Sequence, residues 1–375
     1  VLPSNQPPSK YPFVFGQFDA ILGRTAALPI LGGTLQNVRR GEETMFNSRS
    51  IAAGLVITLL GPVLAVAQDS HHYRFAYDQP HTTGYGIAGD VFSDKLKELS
   101  KGTMIVDQFP GAQLGQEPQV LQSLKSGDID FAITSFANTA TVSPQAGVMS
   151  LHFLFRSEDH LKKVIADPKI AQAVREMIEE TVQGAHVIGL ATLGLRSLYG
   201  RREIKKIEDL KGLKVRVQAT ATEDTMFPAY GAQTVHMPFG SVYTSLQTGV
   251  VDFAENGINV YLANKHYEVA PVLSITEHEA NNSVLWISDK LWSSLGAEQK
   301  AWVQGAAGEV NRVQPAKALE LEHQSAAKLK SIGVKVIADV DKSGFVKIAE
   351  PYLDQLAQKL GPHSVKIQKL VAAIQ

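Results

Sequence analysis

Two hydrophobic periods alternate along the chain. Residues 73–77 switch between apolar and polar at period two, the mark of a strand, while 84–100 place Ile87, Val91, Leu96 and Leu99 on one helical face. Residues 104–109 read as the next strand, so this stretch opens β-α-β. Further on, 161–181 reads as one helix, and 186–192 and 195–199 as two strands. A helix over 260–269, strands over 272–277, 283–288 and 334–338, and C-terminal helices follow. From 297 to 332 the pattern is helical but for Pro315, which reads either as a kink in one helix or as the gap between two. Strands alternating with helices predict an α/β fold with mostly parallel sheets.

The pattern contains one unit twice. Leu124-Lys125-Ser126-Gly127-Asp128-Ile129-Asp130-Phe131-Ala132 and Leu246-Gln247-Thr248-Gly249-Val250-Val251-Asp252-Phe253-Ala254 share the spacing L-x-x-G-x-x-D-F-A. Each copy ends a short amphipathic helix (118–125 and 242–247) with a glycine suited to a left-handed cap, then enters an apolar strand. The strands stop at polar residues, Thr134-Ser135 in one copy and Glu255-Asn256 in the other. Two similar α/β lobes with polar groups at the carboxyl ends of their strands leave a crevice where small ligands bind.

One charge stands out in this pattern. In Leu213-Lys214-Val215-Arg216-Val217, the flanking valines read as core, so alternation turns Arg216 to the other face of a buried strand. A guanidinium beside a core requires an anionic partner, either a ligand carboxylate or an internal Asp or Glu. A second strand arginine, Arg196, and Asn256 at a strand end complete a candidate binding set. Tyr243, Tyr261 and Phe239 read either as cleft walls or as core, with Phe239, between Pro238 and Gly240, partly exposed.

Composition narrows the function classes. With 375 residues, 44% hydrophobic and 19% charged, the chain can build two ordinary cores. Thirty-six basic against 37 acidic residues, without a long basic run, leave no footprint for nucleic acid. The absence of cysteine excludes disulfides, thiolate metal sites, a cysteine nucleophile and a lipoprotein anchor. G-x-S-x-G, H-E-x-x-H and G-x-x-x-x-G-K-[ST] are all missing, so no catalytic constellation presents itself. Gly84-Tyr85-Gly86, at a helix start, could cradle an anion but reads as a plain turn. His71 and His72 have no partner at metal-ligand spacing and read as surface residues, so neither metal nor cofactor is expected.

The first 67 residues read separately. Met45-Phe46-Asn47-Ser48-Arg49 is a short basic region, 51–64 an apolar core too short for the ~20 residues of a membrane span, and Ala65-Val66-Ala67 an A-x-A cleavage pattern. Residues 45–67 are therefore expected to be a signal peptide cleaved after Ala67, placing the mature protein in the periplasm. Residues 1–44, rich in Pro, Gly and Gln, are expected to be a disordered extension or the product of a mis-called start.

As a set, several segments resemble the dicarboxylate-binding-protein (DctP) type of periplasmic solute-binding protein that serves tripartite ATP-independent periplasmic (TRAP) transporters. They are Gln113-Leu114-Gly115, the two repeats, Gly194-Leu195-Arg196, Asp209-Leu210-Lys211-Gly212 with the strand through Val217, Val242-Tyr243, and Glu255-Asn256. The resemblance implies a two-lobed α/β periplasmic-binding-protein fold, with a ligand cleft between the lobes and a long helix spanning both. It sets lobe I at 68–193 with 282–320 and lobe II at 194–281 with 321–375. It implies a monomer that captures an organic acid, whether dicarboxylate, hydroxy acid or sugar acid, for the small and large membrane subunits of a TRAP permease. Arg216 matches the family arginine that pairs with the ligand carboxylate, and Arg196 and Asn256 match its polar helpers. Asp78, Glu117, Ser135 and Phe239 fall at positions that tune the ligand. Gln218, Phe253 and Gly257 stand where the family usually has proline, glycine and proline. Ser135, Gln218 and Thr220 suit ligand hydroxyls. An extracytoplasmic sensor of the same fold and a secreted enzyme are the competing readings.

Overall fold

A computed structural model describes residues 70–375. The expected signal peptide, its cleavage site and residues 1–44 lie outside the described residues.

A single nine-stranded sheet runs through the described chain. Its strands are β1 (His71–Ala76), β2 (Met104–Phe109), β3 (Phe131–Ser135), β4 (Ala185–Gly200), β5 (Lys214–Val217), β6 (Gln233–His236), β7 (Phe253–Asn256), β8 (Val272–Ser288) and β9 (Lys335–Ile337). The order is β2-β1-β3-β8-β4-β7-β5-β6, with β9 on β8. Parallel pairs build the two outer parts, β2-β1-β3 and β7-β5-β6, whereas β8 pairs antiparallel with β3 and β4, and β4 with β7. The sheet is therefore mixed, with most pairings parallel and the antiparallel ones at its centre, because two long central strands cross from one lobe to the other.

Those two strands also correct the sequence reading. The expected pairs 186–192/195–199 and 272–277/283–288 are each one strand, β4 and β8. The linking residues looked like loops because they are polar or glycine, yet His278, Glu279, Asn281 and Asn282 are buried. Bulges absorb the irregularity: between Arg196↔Glu279 and Leu198↔Ser274, five steps along β8 face two along β4. The expected helix 161–181 is two helices, Glu158–Ala166 and Pro168–Glu179. Asp167 caps the second by accepting from the Lys169 and Ile170 amides, and Pro168 stands at its first position. The expected helix 260–269 is a short helix, Ile258–Ala263, and a separate turn of 3-10 helix, His266–Glu268.

Pro315 sits inside one continuous helix of 35 residues, Ala297–Ser331. At about 1.5 Å per residue it is roughly 50 Å long. Val303, Ala306 and Val310 pack with Phe75, Phe92 and Phe131 in one core, and Leu329 joins Tyr199, Tyr261 and Leu273 in another, so the helix spans both lobes. Next to the proline, Gln314 accepts from the Thr192 amide and donates to the Gly84 and Thr192 carbonyls, tying β4 to helix Gly84–Leu99.

The doubled unit is doubled in space as well. Gly127 and Gly249 end their helices at φ 76° and 74°, a left-handed conformation that glycine adopts without strain. The aspartate of each copy then accepts from the first strand of its lobe: Asp130 from the Arg74 amide and Asp252 from the Lys214 amide, both at 2.8 Å. The register repeats too, with Ala76 opposite Ala132 and Arg216 opposite Ala254. Arg216 therefore occupies in one lobe the place of Ala76 in the other, and Gln218 the place of Asp78.

Candidate functional site

A cavity of about 240 Å³ opens where the carboxyl ends of β1, β3, β5 and β6 meet. One lobe contributes Asp78, Gln116, Glu117 and Asn138, and the other Arg216, Gln218, His236 and Phe239. The symmetry-related Asp78 and Gln218 thus face the same space. On this side of the molecule the lobes are bridged by hydrogen bonds from Gln218 Nε2 to Ser135 Oγ (2.9 Å), from the Gly240 amide to Gln116 Oε1 (3.1 Å) and from Asn264 Nδ2 to Gln79 Oε1 (3.1 Å).

Arg216 is 3% exposed between the fully buried Val215 and Val217, so both faces of β5 are covered. Its Nε and Nη2 donate to the Met237 carbonyl at 3.2 and 2.8 Å, and the guanidinium carbon lies 5.9 Å from the centroid of the Phe239 ring. No carboxylate among the described residues forms a salt bridge with it. Burial therefore pulls its pKa below the usual arginine range, with Glu255 opposing and Arg196 adding to the shift. The Nε side of the guanidinium is held by the backbone, which leaves the terminal Nη1–Nη2 edge for an anion.

The acids facing it have different environments. Glu117 begins helix Glu117–Ser126 and is held by four donors. Tyr85 Oη gives to Oε1 at 3.1 Å, and the Ser135 amide, Ser135 Oγ and Asn138 Nδ2 give to Oε2 at 2.9, 2.7 and 2.6 Å. Asp78 accepts from Gln79 Nε2 at 3.0 Å. Burial, and then the nearby Glu117, hold the Asp78 carboxyl well above the usual range.

Of the expected site residues, Asp78, Glu117, Arg216, Gln218 and Phe239 share this cavity, and Ser135 reaches it through Glu117 and Gln218. Arg196 and Asn256 are not on its wall. Arg196 is 1% exposed and its guanidinium engages Glu255 through Nε and Nη2, with Glu279 3.5 Å away. Burial disfavours its charge, but the two glutamates more than reverse this and hold its pKa above the ordinary value. Asn256 Oδ1 accepts from the Gly257 amide and Asn281 Nδ2. Thr220 Oγ1 accepts from the Glu223 amide, a helix-end contact. Tyr261 is core, Tyr243 is half-buried with its hydroxyl on Glu268, and Phe239 is the half-buried aromatic at the cavity.

Gln116, Asn138, His236 and the Met237 carbonyl were not anticipated. Asn138 had a signal: its amide donates to Ser135, a serine cap at the start of helix Phe136–Thr139. His236 ends β6, a short strand whose alternation is too brief to read.

Comparison with known proteins agrees with this architecture. The model of the family described as bacterial extracellular solute-binding protein, family 7 (DctP) matches residues 75–360. The 2,3-diketo-L-gulonate-binding periplasmic protein YiaO of Escherichia coli is 28% identical over 87% of this chain and 99% of its own length. Among solved structures, a TRAP periplasmic solute-binding protein of Xanthobacter autotrophicus with bound β-D-galacturonate is 32% identical, with a TM-score of 0.74, covering 81% of this chain and all of that one. One from Polaromonas bound to D-erythronate is 26% identical at a TM-score of 0.76, covering 82% of this chain and 99% of that one. With its doubled α/β lobes, crossing strands and spanning helix, the chain belongs to the DctP family of TRAP-transporter periplasmic solute-binding proteins.

Proposed function

We propose that this protein captures a small acid anion with one carboxylate and several hydroxyls, a sugar acid, and delivers it to the small and large membrane subunits of a TRAP permease. The observation that carries this reading is Arg216, a buried cation without a carboxylate partner among the described residues, on the wall of this cavity. An anion on its free edge offsets the desolvation of the guanidinium. Around it, Gln116, Asn138 and Gln218 offer amide groups suited to hydroxyls. Asp78 offers a carboxyl to a ligand hydroxyl, whereas a second ligand carboxylate in the same space meets the Glu117 carboxylate. That favours a sugar acid over a dicarboxylate, in keeping with the galacturonate and erythronate held by the relatives above. The lobes, divided at 68–193 with 282–320 and at 194–281 with 321–375, close on the anion, and the protein binds without turnover.

Mass spectrometry of the small molecule that co-purifies with periplasmic protein, followed by calorimetric titration of galacturonate, erythronate and succinate, tests this. Uptake of a sugar acid, with succinate much weaker, is expected. Preference for succinate, or chemical conversion of the bound acid, overturns the reading.

A further inference from the structure

We propose that His152, His278 and Glu279, joined by Glu223, form a buried site for one divalent cation of the zinc class beside Arg196. The imidazole and carboxylate ligand atoms of the first three residues all lie within 4.8 Å of one another. Three separate segments bring them together. His152 follows the turn Pro144–Ser150, His278 and Glu279 sit where the extra residues of β8 bulge inward, and Glu223 opens helix Glu223–Ala229.

Both histidines are oriented by a hydroxyl. His152 Nδ1 is 3.0 Å from Tyr230 Oη, and His278 Nδ1 is 2.8 Å from Thr276 Oγ1. Each ring therefore keeps Nε2 for the centre, the arrangement in which an outer partner fixes the tautomer of a metal-ligating imidazole. His152 Nε2 lies 3.5 Å from Glu223 Oε1. His278 Nε2 and Glu223 Oε2 have no hydrogen-bond partner among the described residues, although both residues are only 2% exposed. Orphaned buried atoms of this kind are uncommon and call for a missing partner.

The charge balance points the same way. Three carboxylates, Glu223, Glu255 and Glu279, surround one guanidinium, and Glu255 takes its closest contacts. Deprotonated on metal binding, the remaining two carboxylates match the charge of one divalent ion. Two imidazole nitrogens and two carboxylates form a donor set for zinc or its neighbours, whereas calcium and magnesium take oxygen alone. The backbone is strained next to each histidine, with Phe153 at φ 57° and Glu277 at φ 46°.

The proposal is independent of the sugar-acid reading, and its test uses no organic ligand. Chelator-stripped protein is titrated with Zn²⁺ by calorimetry after long equilibration, and one equivalent is expected to bind. His152→Gln and His278→Gln should each weaken uptake at least about 100-fold, while the double change His71→Gln and His72→Gln, at the exposed start of β1, should leave it unchanged. If the buried variants do not fold, anomalous diffraction at the zinc edge from crystals of the unaltered protein locates the ion directly. No stoichiometric uptake, unaltered affinity in folded His152 and His278 variants, or an anomalous peak elsewhere overturns the proposal.

Discussion

Arg196 on β4 lays its guanidinium against Glu255 on β7, with Nη2 2.6 Å from Oε1 and 3.1 Å from the Glu255 carbonyl. Both side chains are 1% exposed. Breaking such a pair leaves a buried charge uncompensated, at a cost of about 3 to 5 kcal/mol. Arg196→Ala and Glu255→Ala should therefore each lower stability by that order in urea unfolding, with ligand absent. A folded Arg196→Ala protein of parental stability that has lost its ligand would place the arginine's main contact on the ligand instead.

At Arg216 the expected loss is in binding. Removing one partner of a buried charge pair costs roughly 2 to 5 kcal/mol, so Arg216→Ala should weaken the sugar acid by about 30-fold to several thousand-fold. Arg216→Lys should recover only part of this, because an ammonium cannot present two parallel donors to a carboxylate while keeping the Met237 carbonyl. Calorimetry on variants checked by circular dichroism decides it. Parental affinity in folded Arg216→Ala would remove the arginine from the site.

The bridges from Gln218 to Ser135 and from Gly240 to Gln116 hold the two lobes against one another. Ligand should shift the population further toward this compact form, since an anion gains contacts from both lobes only when they meet. Small-angle scattering should show a smaller radius of gyration with ligand. Gln218→Ala should enlarge the ligand-free radius, and identical radii with and without ligand would indicate a rigid pocket.

His266 adds a pH dependence. It is buried beneath Phe239, with ring centroids 5.4 Å apart, and its Nδ1 is 2.9 Å from Tyr199 Oη. Burial first, and the Arg216 charge second, lower its pKa to about 4. The unfolded chain takes up a proton near pH 6.5, which the folded protein resists down to about 4, so stability falls as pH drops through that window. The loss is up to about 3 kcal/mol. Denaturant titrations at pH 7 and pH 5 should show it, and His266→Gln should reduce the difference, leaving the share of His152 and His278, whose pKa values burial also lowers. An unchanged slope in that variant would assign the acid sensitivity to other groups.

Periodicity and spacing determined the doubled L-x-x-G-x-x-D-F-A unit, the α/β alternation and the burial of Arg216 between two valines, because each is written in residues close together in the chain. The Asp167-Pro168 break was equally local, an acidic cap before a proline, and the continuing helical periodicity over 161–181 concealed it. What Arg196 touches could not be read that way. Its partners Glu255 and Glu279 lie 59 and 83 positions further on, and only the pairing of β4 with β7 and β8 brings them to it. The polar stretch His278-Glu279-Ala280-Asn281-Asn282 looked like a loop for the same reason: polar residues are buried only where distant partners meet them, and a sequence pattern does not contain those partners. The chain alone thus determined which residue carries an unusual charge, and the tertiary structure decided which charges are answered from within the protein.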